Sequence, residues 1–154
     1  MRRGPLIVRP IEAGDFEAWT PLWDGYNAFY GRSGETALPA AITKLTWARL
    51  LDVAEPVHGL VAEHDGALVG LVHYIFHRTT TMEGPICYLN DLFTRPQARG
   101  AGVGKALIEA VYDRARAAGS SRVYWQTHET NLSAMRLYDQ VASKSGFIVY
   151  RQDL

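Results

Sequence analysis

The sequence predicts a mixed α/β (α+β) fold in which helices cover both faces of a central, mostly antiparallel sheet. Apolar residues recur at helical spacing in four segments, and short apolar runs bounded by turn signals alternate with these, in the order β-α-α-β-β-β-α-β-α-β. Three consecutive strands with short connections predict an antiparallel meander, whereas the later β-α-β crossover predicts a parallel pair. All 154 residues, 1–154, are expected to form one domain.

Local signals place the individual elements. An Asp-Gly pair, Asp65 and Gly66, lies between two apolar runs and predicts a tight hairpin. Asp15 is positioned to cap the first helix, which begins at Phe16, and Gly119 is positioned to end the third helix. The predicted strands are residues 6–9, 57–63, 68–76, 86–93, 123–127 and 147–150, and the predicted later helices are residues 39–51, 102–118 and 132–144.

Composition argues against several classes of function. Lys and Arg number 16, as do Asp and Glu, so the chain has no net positive field that would attract nucleic acid or an anionic membrane. Cys87 is the sole cysteine and is expected to be a buried strand residue, which leaves no internal disulfide and no multi-cysteine zinc site. His73 and His77 in the third strand are expected to be hydrogen-bonded or solvent-facing, and no metal is expected. No apolar run approaches the roughly 20 residues of a membrane helix, so a cytoplasmic location is expected.

The most informative segment is a glycine-rich turn, RGAGVGK, between a predicted strand and a predicted helix. Glycine permits positive φ and close approach of a ligand, and the free amides at a helix start bind phosphate groups. The spacing differs from the dinucleotide fingerprint and from the P-loop pattern, while a plain strand-to-helix turn stays open as an alternative. The turn consists of Arg99, Gly100, Ala101, Gly102, Val103, Gly104 and Lys105.

This turn and a second motif resemble the GCN5-related N-acetyltransferase (GNAT) superfamily. The acetyl-coenzyme A motif of that family is Gln/Arg-x-x-Gly-x-Gly/Ala, which Arg99, Gly102 and Gly104 match. Downstream, Asn131 and Tyr138 are spaced as in the family segment Asn-x-x-Ala-x-x-x-Tyr, and a Gly-Phe pair follows. The resemblance implies the GNAT fold, with strands four and five splayed apart, and acetyl transfer from acetyl-coenzyme A to a primary amine.

The resemblance also implies roles for individual residues. Amides of the glycine-rich turn would bind the pyrophosphate of the coenzyme, and the main chain at Phe93 and Thr94 would pair with its pantetheine arm. Asn131 would contact that arm, and Tyr138 would be the general acid that protonates the departing thiolate. A phenol with a pKa of about 10 is protonated at neutral pH and suits that task. A helix cap for Asn131 and a core position for Tyr138 are the alternatives.

A carboxylate is expected on the amine side, because an ammonium ion must lose a proton before its nitrogen can attack. Asp91 lies in strand four, where the segment YLNDLF resembles the diamine acetyltransferases, although Asn90 stands where that branch has Glu. Asp91 is therefore the candidate catalytic and amine-binding carboxylate, with a loop cap or a buried ion pair as alternatives. Residues 138–147 are similar to the yeast-type histone and polyamine acetyltransferases, so a small cationic amine is the expected acceptor.

Further acceptor-binding candidates are aromatic or acidic. Trp23, Tyr26 and Tyr30 form a stripe on the first helix, which usually lines the acceptor site in this superfamily, and aromatic faces attract cations. Glu129, after the fifth strand, is a second candidate carboxylate. An aromatic core stripe and a surface carboxylate are the respective alternatives.

The end of the chain predicts an assembly. Only eight residues follow Gly146, enough for one strand where the family has two. The sheet would then keep an open edge, which proteins tend to cover, so a homodimer is expected. Other functions stay open at this point: a protein lysine or N-terminal acetyltransferase, an aminoglycoside-type enzyme, or a non-catalytic acetyl-coenzyme A sensor. Tyr138 and Asp91 favour an enzyme.

Overall fold

The computed structural model describes residues 4–154, which fold around a five-stranded sheet of order β1-β2-β3-β4-β5. Neighbouring strands pair antiparallel from β1 to β4, and β5 lies parallel to β4. The predicted fold, a meander followed by a crossover, is confirmed. The strands are β1 Leu6–Pro10, β2 Val57–His64, β3 Ala67–His77, β4 Ile86–Thr94 and β5 Val123–Tyr124.

Helices cover both faces of this sheet. On one face lie α1 (Phe16–Phe29) and α2 (Ala40–Leu51), and on the other lie α3 (Val103–Ala117) and α4 (Leu132–Val141). The connection from β4 through α3 to β5 is the crossover that makes the last strand pair parallel. Within residues 4–154, none of the helices is long and apolar enough to cross a membrane.

Alternation along the strands divides the buried residues into two cores. On β3, Leu71 faces α1 whereas Val72 faces α3, as expected for side chains that point to opposite sides of a strand. Cys87 is fully buried on the α3 face, and burial raises the pKa of its thiol to about 12. The α1 core consists of Trp19, Leu22, Trp23, Val61, Leu71 and Phe93.

The hairpin between β2 and β3 forms as predicted. Asp65 has φ +51° and Gly66 has φ +77°, so both central residues adopt the left-handed conformation of a type I′ turn. The strands pair directly up to His64 and Ala67 on either side of this turn. The Asp-Gly pair therefore sets the register of the meander at its first reversal.

The prediction of a last strand at residues 147–150 is wrong for a single copy of this chain. Residues 142–154 have no regular secondary structure, and the side chains of Phe147 and Tyr150 are both 90% exposed. A strand needs a neighbouring strand to pair its backbone groups, and this segment has none within residues 4–154. Helix α4 also ends earlier than predicted, because the Tyr112 hydroxyl donates to the Val141 carbonyl at 2.7 Å and satisfies the end of the helix.

Asp15 does not cap α1 as predicted. Its carboxylate accepts two hydrogen bonds from the Arg9 guanidinium, at 2.7 and 2.9 Å, and one from the backbone N–H of Glu12 at 2.8 Å. A charged, bidentate partner competes successfully with the free amides of the helix for the carboxylate oxygens. The result is an ion pair that ties the end of β1 to the start of α1.

Candidate active site

A groove of about 600 Å³ runs between α1, the start of α3 and the inner side of α4. The last residues of β4 also line it, so it lies where the sheet meets three helices. The residues predicted from the sequence that line the groove are Tyr26, Tyr30, Phe93, Thr94, Arg99, Gly100, Gly102, Val103, Gly104, Lys105, Asn131 and Tyr138.

Several lining residues were not predicted as site residues. Ala134 lies three residues after Asn131, and Leu137 lies three residues after Ala134, so each is a surface neighbour of the one before it on α4. Helical periodicity counted from Asn131 was therefore the signal that identifies them. The full set is Phe29, Leu92, Ala98, Ser133, Ala134, Leu137 and Gln140.

The glycine-rich turn forms one end of the groove. Gly100 has φ +81° and Gly102 has φ +79°, a region that other residues adopt only with strain. Helix α3 begins directly afterwards, and the first turn of an α-helix leaves its amides without intrahelical acceptors. Arg99 and Lys105 line the same end of the groove. Free amides, the positive end of the helix dipole and two cationic side chains together suit a phosphate group.

The gap between β4 and β5 gives access to the backbone of β4. The two strands pair only at Cys87 with Val123 and at Tyr88 with Tyr124, and then separate. Beyond Tyr88, this edge of β4 has no strand partner among residues 4–154, which confirms the predicted splay. Its backbone groups are thus available to an extended ligand, apart from the Thr94 carbonyl, which accepts from Arg99 Nε at 3.3 Å.

Asn131 and Tyr138 lie two turns apart on α4. The Asn131 side chain accepts a hydrogen bond from the Ala134 N–H at 3.4 Å and so caps the helix, as the alternative interpretation of this residue predicted. Asn131 also lines the groove. The Tyr138 ring packs edge-on against Trp125, with 5.4 Å between ring centroids. Burial raises the pKa of Tyr138, and the nearby Tyr30 phenol raises it further. Tyr138 is therefore a protonated hydroxyl at neutral pH.

A bulge in β4 determines where Asp91 points. His73 pairs with Asp91 and Tyr74 pairs with Leu89, so Asn90 is an extra residue without a partner on β3. Before the bulge, Cys87 and Leu89 face the α3 core. After it, odd-numbered residues face α1 instead, which places Asp91 beside His73 at the base of that helix.

Asp91 is the end of a buried chain of hydrogen bonds. Trp19 Nε1 donates to His73 Nε2 at 3.1 Å, and His73 Nδ1 is 2.9 Å from Asp91 Oδ2. An indole N–H only donates, so His73 Nε2 must be the acceptor nitrogen and Nδ1 must carry the proton given to Asp91. Asn90 Nδ2 donates to the other carboxylate oxygen at 2.7 Å. His73 is 2% exposed and Asp91 is 7% exposed.

The environment holds Asp91 as a carboxylate. Burial alone raises the pKa of Asp91, but its interactions with His73, followed by hydrogen bonds from Tyr26 and from Asn90, outweigh burial and bring the pKa below its ordinary value. For Tyr26 and Tyr30, burial raises the pKa and the negative charge of Asp91 raises it further. Asp91 therefore acts electrostatically on the two tyrosines that line the groove.

Comparison with known proteins adds a family to this geometry. A family model described as the acetyltransferase (GNAT) family matches residues 19–142. The chain belongs to the GNAT acetyltransferase family. It is an acetyl-coenzyme A-dependent N-acetyltransferase, and its five-stranded sheet with surrounding helices is the GNAT fold.

Three proteins illustrate how the relationship extends. D-amino-acid N-acetyltransferase HPA3 of Saccharomyces cerevisiae is 36% identical over 150 residues, which cover 96% of this chain and 91% of the yeast protein. Thialysine N-epsilon-acetyltransferase of Caenorhabditis elegans is 30% identical over 104 residues, or 63% of each chain. The structure of AAC(6')-Iy with the bisubstrate analogue CoA-S-monomethyl-acetylneamine has a TM-score of 0.82 at 16% identity, covering 98% of this chain and 99% of that one, and shares the fold.

Four residues predicted for the GNAT site do not line the groove: Asp91, which is 7% exposed, and Trp23, Glu129 and Ala101. Trp23 is 6% exposed in the α1 core, where it stacks on Trp19 and its indole N–H donates to Thr43. Glu129 is exposed in the loop between β5 and α4, and Ala101 is exposed at the tip of the glycine-rich turn. The sequence did not predict a site role for His73. Its position opposite Asp91 on the neighbouring strand is what reveals that role.

Replacing His73 tests whether it holds the Asp91 charge. Leu and Asn have similar shapes, and the Asn amide nitrogen takes the place of Nδ1, so His73→Asn keeps a donor that His73→Leu removes. At pH 7, we expect the free energy of unfolding of His73→Leu to be about 1.5–3 kcal/mol lower than that of His73→Asn, because a hydrogen bond to a charged group contributes about that much. Because the donor lowers the Asp91 pKa, its stabilisation is lost as pH falls through that pKa, so the two variants converge in acid.

Urea unfolding at several pH values measures this difference. In an Asp91→Asn background the gap between the two His73 variants should shrink, because no carboxylate charge remains to be stabilised. A gap that is unchanged by pH and by Asp91→Asn would show that His73 contributes only packing.

Replacing Gly102 tests the phosphate-binding turn. A Cβ at φ +79° meets no neighbouring atom, so Gly102→Ala acts only through backbone strain. The strain of about 1–2 kcal/mol favours turn conformations that misdirect the amides, and coenzyme A should bind about tenfold more weakly by calorimetry. Gly14→Ala, also in open space but without positive φ, is the control. Equal affinities for both variants would contradict a role for the turn.

Proposed function

We propose that this enzyme acetylates a small primary amine by direct attack, with Tyr138 as the general acid and Asp91 as the carboxylate on the amine side. The observation that carries the proposal is that Tyr138 from α4 and Tyr26 from α1 line one groove, and that the charge of the buried Asp91 acts on Tyr26. A proton donor thus lines this space and a proton acceptor lies next to one of its lining side chains, as amide formation from a thioester requires.

The residues of the groove fit acetyl-coenzyme A. The first amides of α3, with Arg99 and Lys105, would hold the pyrophosphate at the positive end of the helix. The open edge of β4 near Phe93 and Thr94 offers backbone groups to the pantetheine arm, and Asn131 lies across the groove from it. These residues would bind and orient the thioester, while Tyr138 and Asp91 would carry out the proton transfers.

Asp91 supplies the negative charge that an ammonium ion needs. Its carboxylate has room for a further donor, because a carboxylate accepts about four hydrogen bonds and His73, Asn90 and Tyr26 account for three. The rings of Tyr26 and Tyr30 present aromatic faces that favour a cation. Asp91 would take the ammonium proton directly or through a bridging water molecule.

The proton balance of the reaction follows from these positions. The amine loses one proton toward Asp91, and its lone pair attacks the thioester carbonyl carbon to form the C–N bond. The C–S bond breaks with its electron pair on sulfur, and Tyr138 protonates that sulfur. The nitrogen loses a second proton to give the neutral amide, and Tyr138 is reprotonated. One proton in total is released to solvent for each ammonium that is acetylated.

A small acceptor is favoured over a protein chain. Two of the relatives described above are named for D-amino acids and thialysine, which are small amines. The α1 side of the groove is lined by Tyr26, Phe29 and Tyr30, and the Asp91 carboxylate is only 7% exposed, which suits a compact amine. Asn90, the bulge residue, donates a hydrogen bond to Asp91. It therefore helps to hold the Asp91 carboxylate in place and adds no second negative charge.

We also propose that the enzyme is a homodimer in which residues 147–150 of each copy cover the open sheet edge of the other. Four consecutive apolar side chains there are 66–90% exposed, and their sequence, Phe-Ile-Val-Tyr, favours a strand. Strand β5 is only two residues long and is the last strand of the sheet. In a dimer, residues 147–150 of each copy can pair with the open sheet edge of the other copy. Exchange of identical segments is a common route to dimers.

A Tyr138→Phe variant tests the acid. Without the phenol proton, turnover should fall about 100-fold or more while affinity for coenzyme A stays unchanged. The assay is thiol release from acetyl-coenzyme A with D-amino acids, lysine analogues, spermidine, an aminoglycoside and a basic peptide. Tyr112→Phe is the matched control, because it loses a hydrogen bond to α4 outside the groove.

Two results would count against this mechanism. Full turnover by Tyr138→Phe would remove Tyr138 as the acid. Thiol release by the wild-type enzyme with the peptide alone would favour a protein acceptor over a small amine.

The mass in solution tests the dimer. Light scattering at micromolar concentration should give twice the chain mass for the full protein and a single chain mass for a version that ends at Gly146. Ile148→Lys, which places a charge within the apolar segment, should also weaken the dimer without shortening the chain. A monomeric full-length protein would contradict the proposal.

A further inference from the structure

Arg32, just after α1, lies against the tyrosine pair of the groove. Its guanidinium carbon is 5.8 Å from the Tyr26 ring centroid and 5.5 Å from the Tyr30 ring centroid. Its Nε donates to Asn27 Oδ1 at 2.7 Å, which holds the side chain in this position. The ion pairs found within residues 4–154 do not include Arg32, so no carboxylate of the described residues lies within salt-bridge distance of its guanidinium.

Two opposite charges therefore act on the same two phenols. Burial raises the pKa of Tyr26, the Asp91 charge raises it further, and the Arg32 charge lowers it; the same three influences act on Tyr30. Asp91 reaches the pair from β4, whereas Arg32 reaches it from the loop after α1. Asp91 and Arg32 do not themselves line the groove, but they place a negative and a positive charge beside the two tyrosines that do.

An acceptor that fits this arrangement carries both charges itself. We infer that the acceptor is a free amino acid, whose carboxylate is bound by Arg32 while its amine lies toward Asp91. The inference rests on the proposed function and names the substrate class for that same site. A guanidinium binds a carboxylate through two parallel N–H donors, and the Nε bond to Asn27 leaves the terminal nitrogens for this purpose.

The same arrangement disfavours a polyamine. Each further ammonium group of a polyamine would meet the positive charge of Arg32 at the tyrosine pair, and like charges repel. A simple amine without a carboxylate would bind through Asp91 alone and leave Arg32 unused. The discriminating feature of the substrate is therefore the carboxylate, not the number of amines.

Matched pairs of acceptors isolate that carboxylate. Phenylalanine, as both enantiomers, is compared with phenethylamine, and lysine is compared with cadaverine, because each pair differs by the carboxylate. The readout is kcat/KM for thiol release by the wild-type enzyme and by Arg32→Gln. The variant should lose at least about tenfold more activity toward the amino acid than toward its decarboxylated partner, the value of a charged hydrogen bond.

Two further variants complete the experiment. Arg32→Lys keeps the positive charge but lacks the paired N–H donors of the guanidinium, so it should recover part of the preference for the amino acid. Arg116→Gln, at an exposed arginine that pairs with Asp113 on α3, should keep the wild-type ratio between the two acceptors.

The outcomes are separable. If Arg32→Gln lowers activity equally toward both members of a pair, Arg32 supports the tyrosines and does not bind a carboxylate. If wild-type enzyme prefers cadaverine or spermidine to every amino acid, the acceptor class is wrong although acetyl transfer to an amine stands. If no acceptor supports thiol release, the proposed function fails and the inference fails with it.

Discussion

One extra residue in β4 sets the chemistry of the whole site. Without the bulge at Asn90, strict alternation would place Asp91 on the same face as Cys87 and Leu89, in the apolar α3 core. The bulge turns it to the α1 face, where His73 lies directly opposite on β3. The hydrogen bond of Asp91 with His73 and the effect of its charge on the tyrosines of α1 both depend on that change of face.

Burial of a carboxylate is costly unless each oxygen is satisfied, and the fold meets that condition with neutral donors. Trp19 constrains the proton position on His73, His73 donates to one oxygen of Asp91, and Asn90 donates to the other. Because the donors are neutral, the negative charge of Asp91 is stabilised but not cancelled. It therefore stays effective at the tyrosines of the groove.

The groove has two electrostatic ends joined by a slender middle. The coenzyme end is positive through the start of α3, Arg99 and Lys105. At the proposed amine end, the charges of Asp91 and Arg32 both act on Tyr26 and Tyr30. Between them, the parting of β4 and β5 after Tyr88 exposes strand backbone instead of side chains. The sheet thus offers backbone groups to the proposed coenzyme at the place where its own pairing stops.

Much of this was predictable from sequence because it rests on local signals. The Asp-Gly hairpin, the glycine-rich turn before α3 and the spacing of Asn131 and Tyr138 depend on neighbouring residues, and the family resemblance rests on those motifs. The placement of Asp91 against His73, the burial of Trp23 and the loss of the Asp15 cap to Arg9 depend on partners up to 54 residues apart. The exposed segment 147–150 shows the same limit, since a strand-forming sequence becomes a strand only beside an edge. Local sequence determines turns, caps and periodicity; register, bulges and competition between partners are decided only by the tertiary structure, because they depend on which distant groups the fold brings within hydrogen-bonding distance.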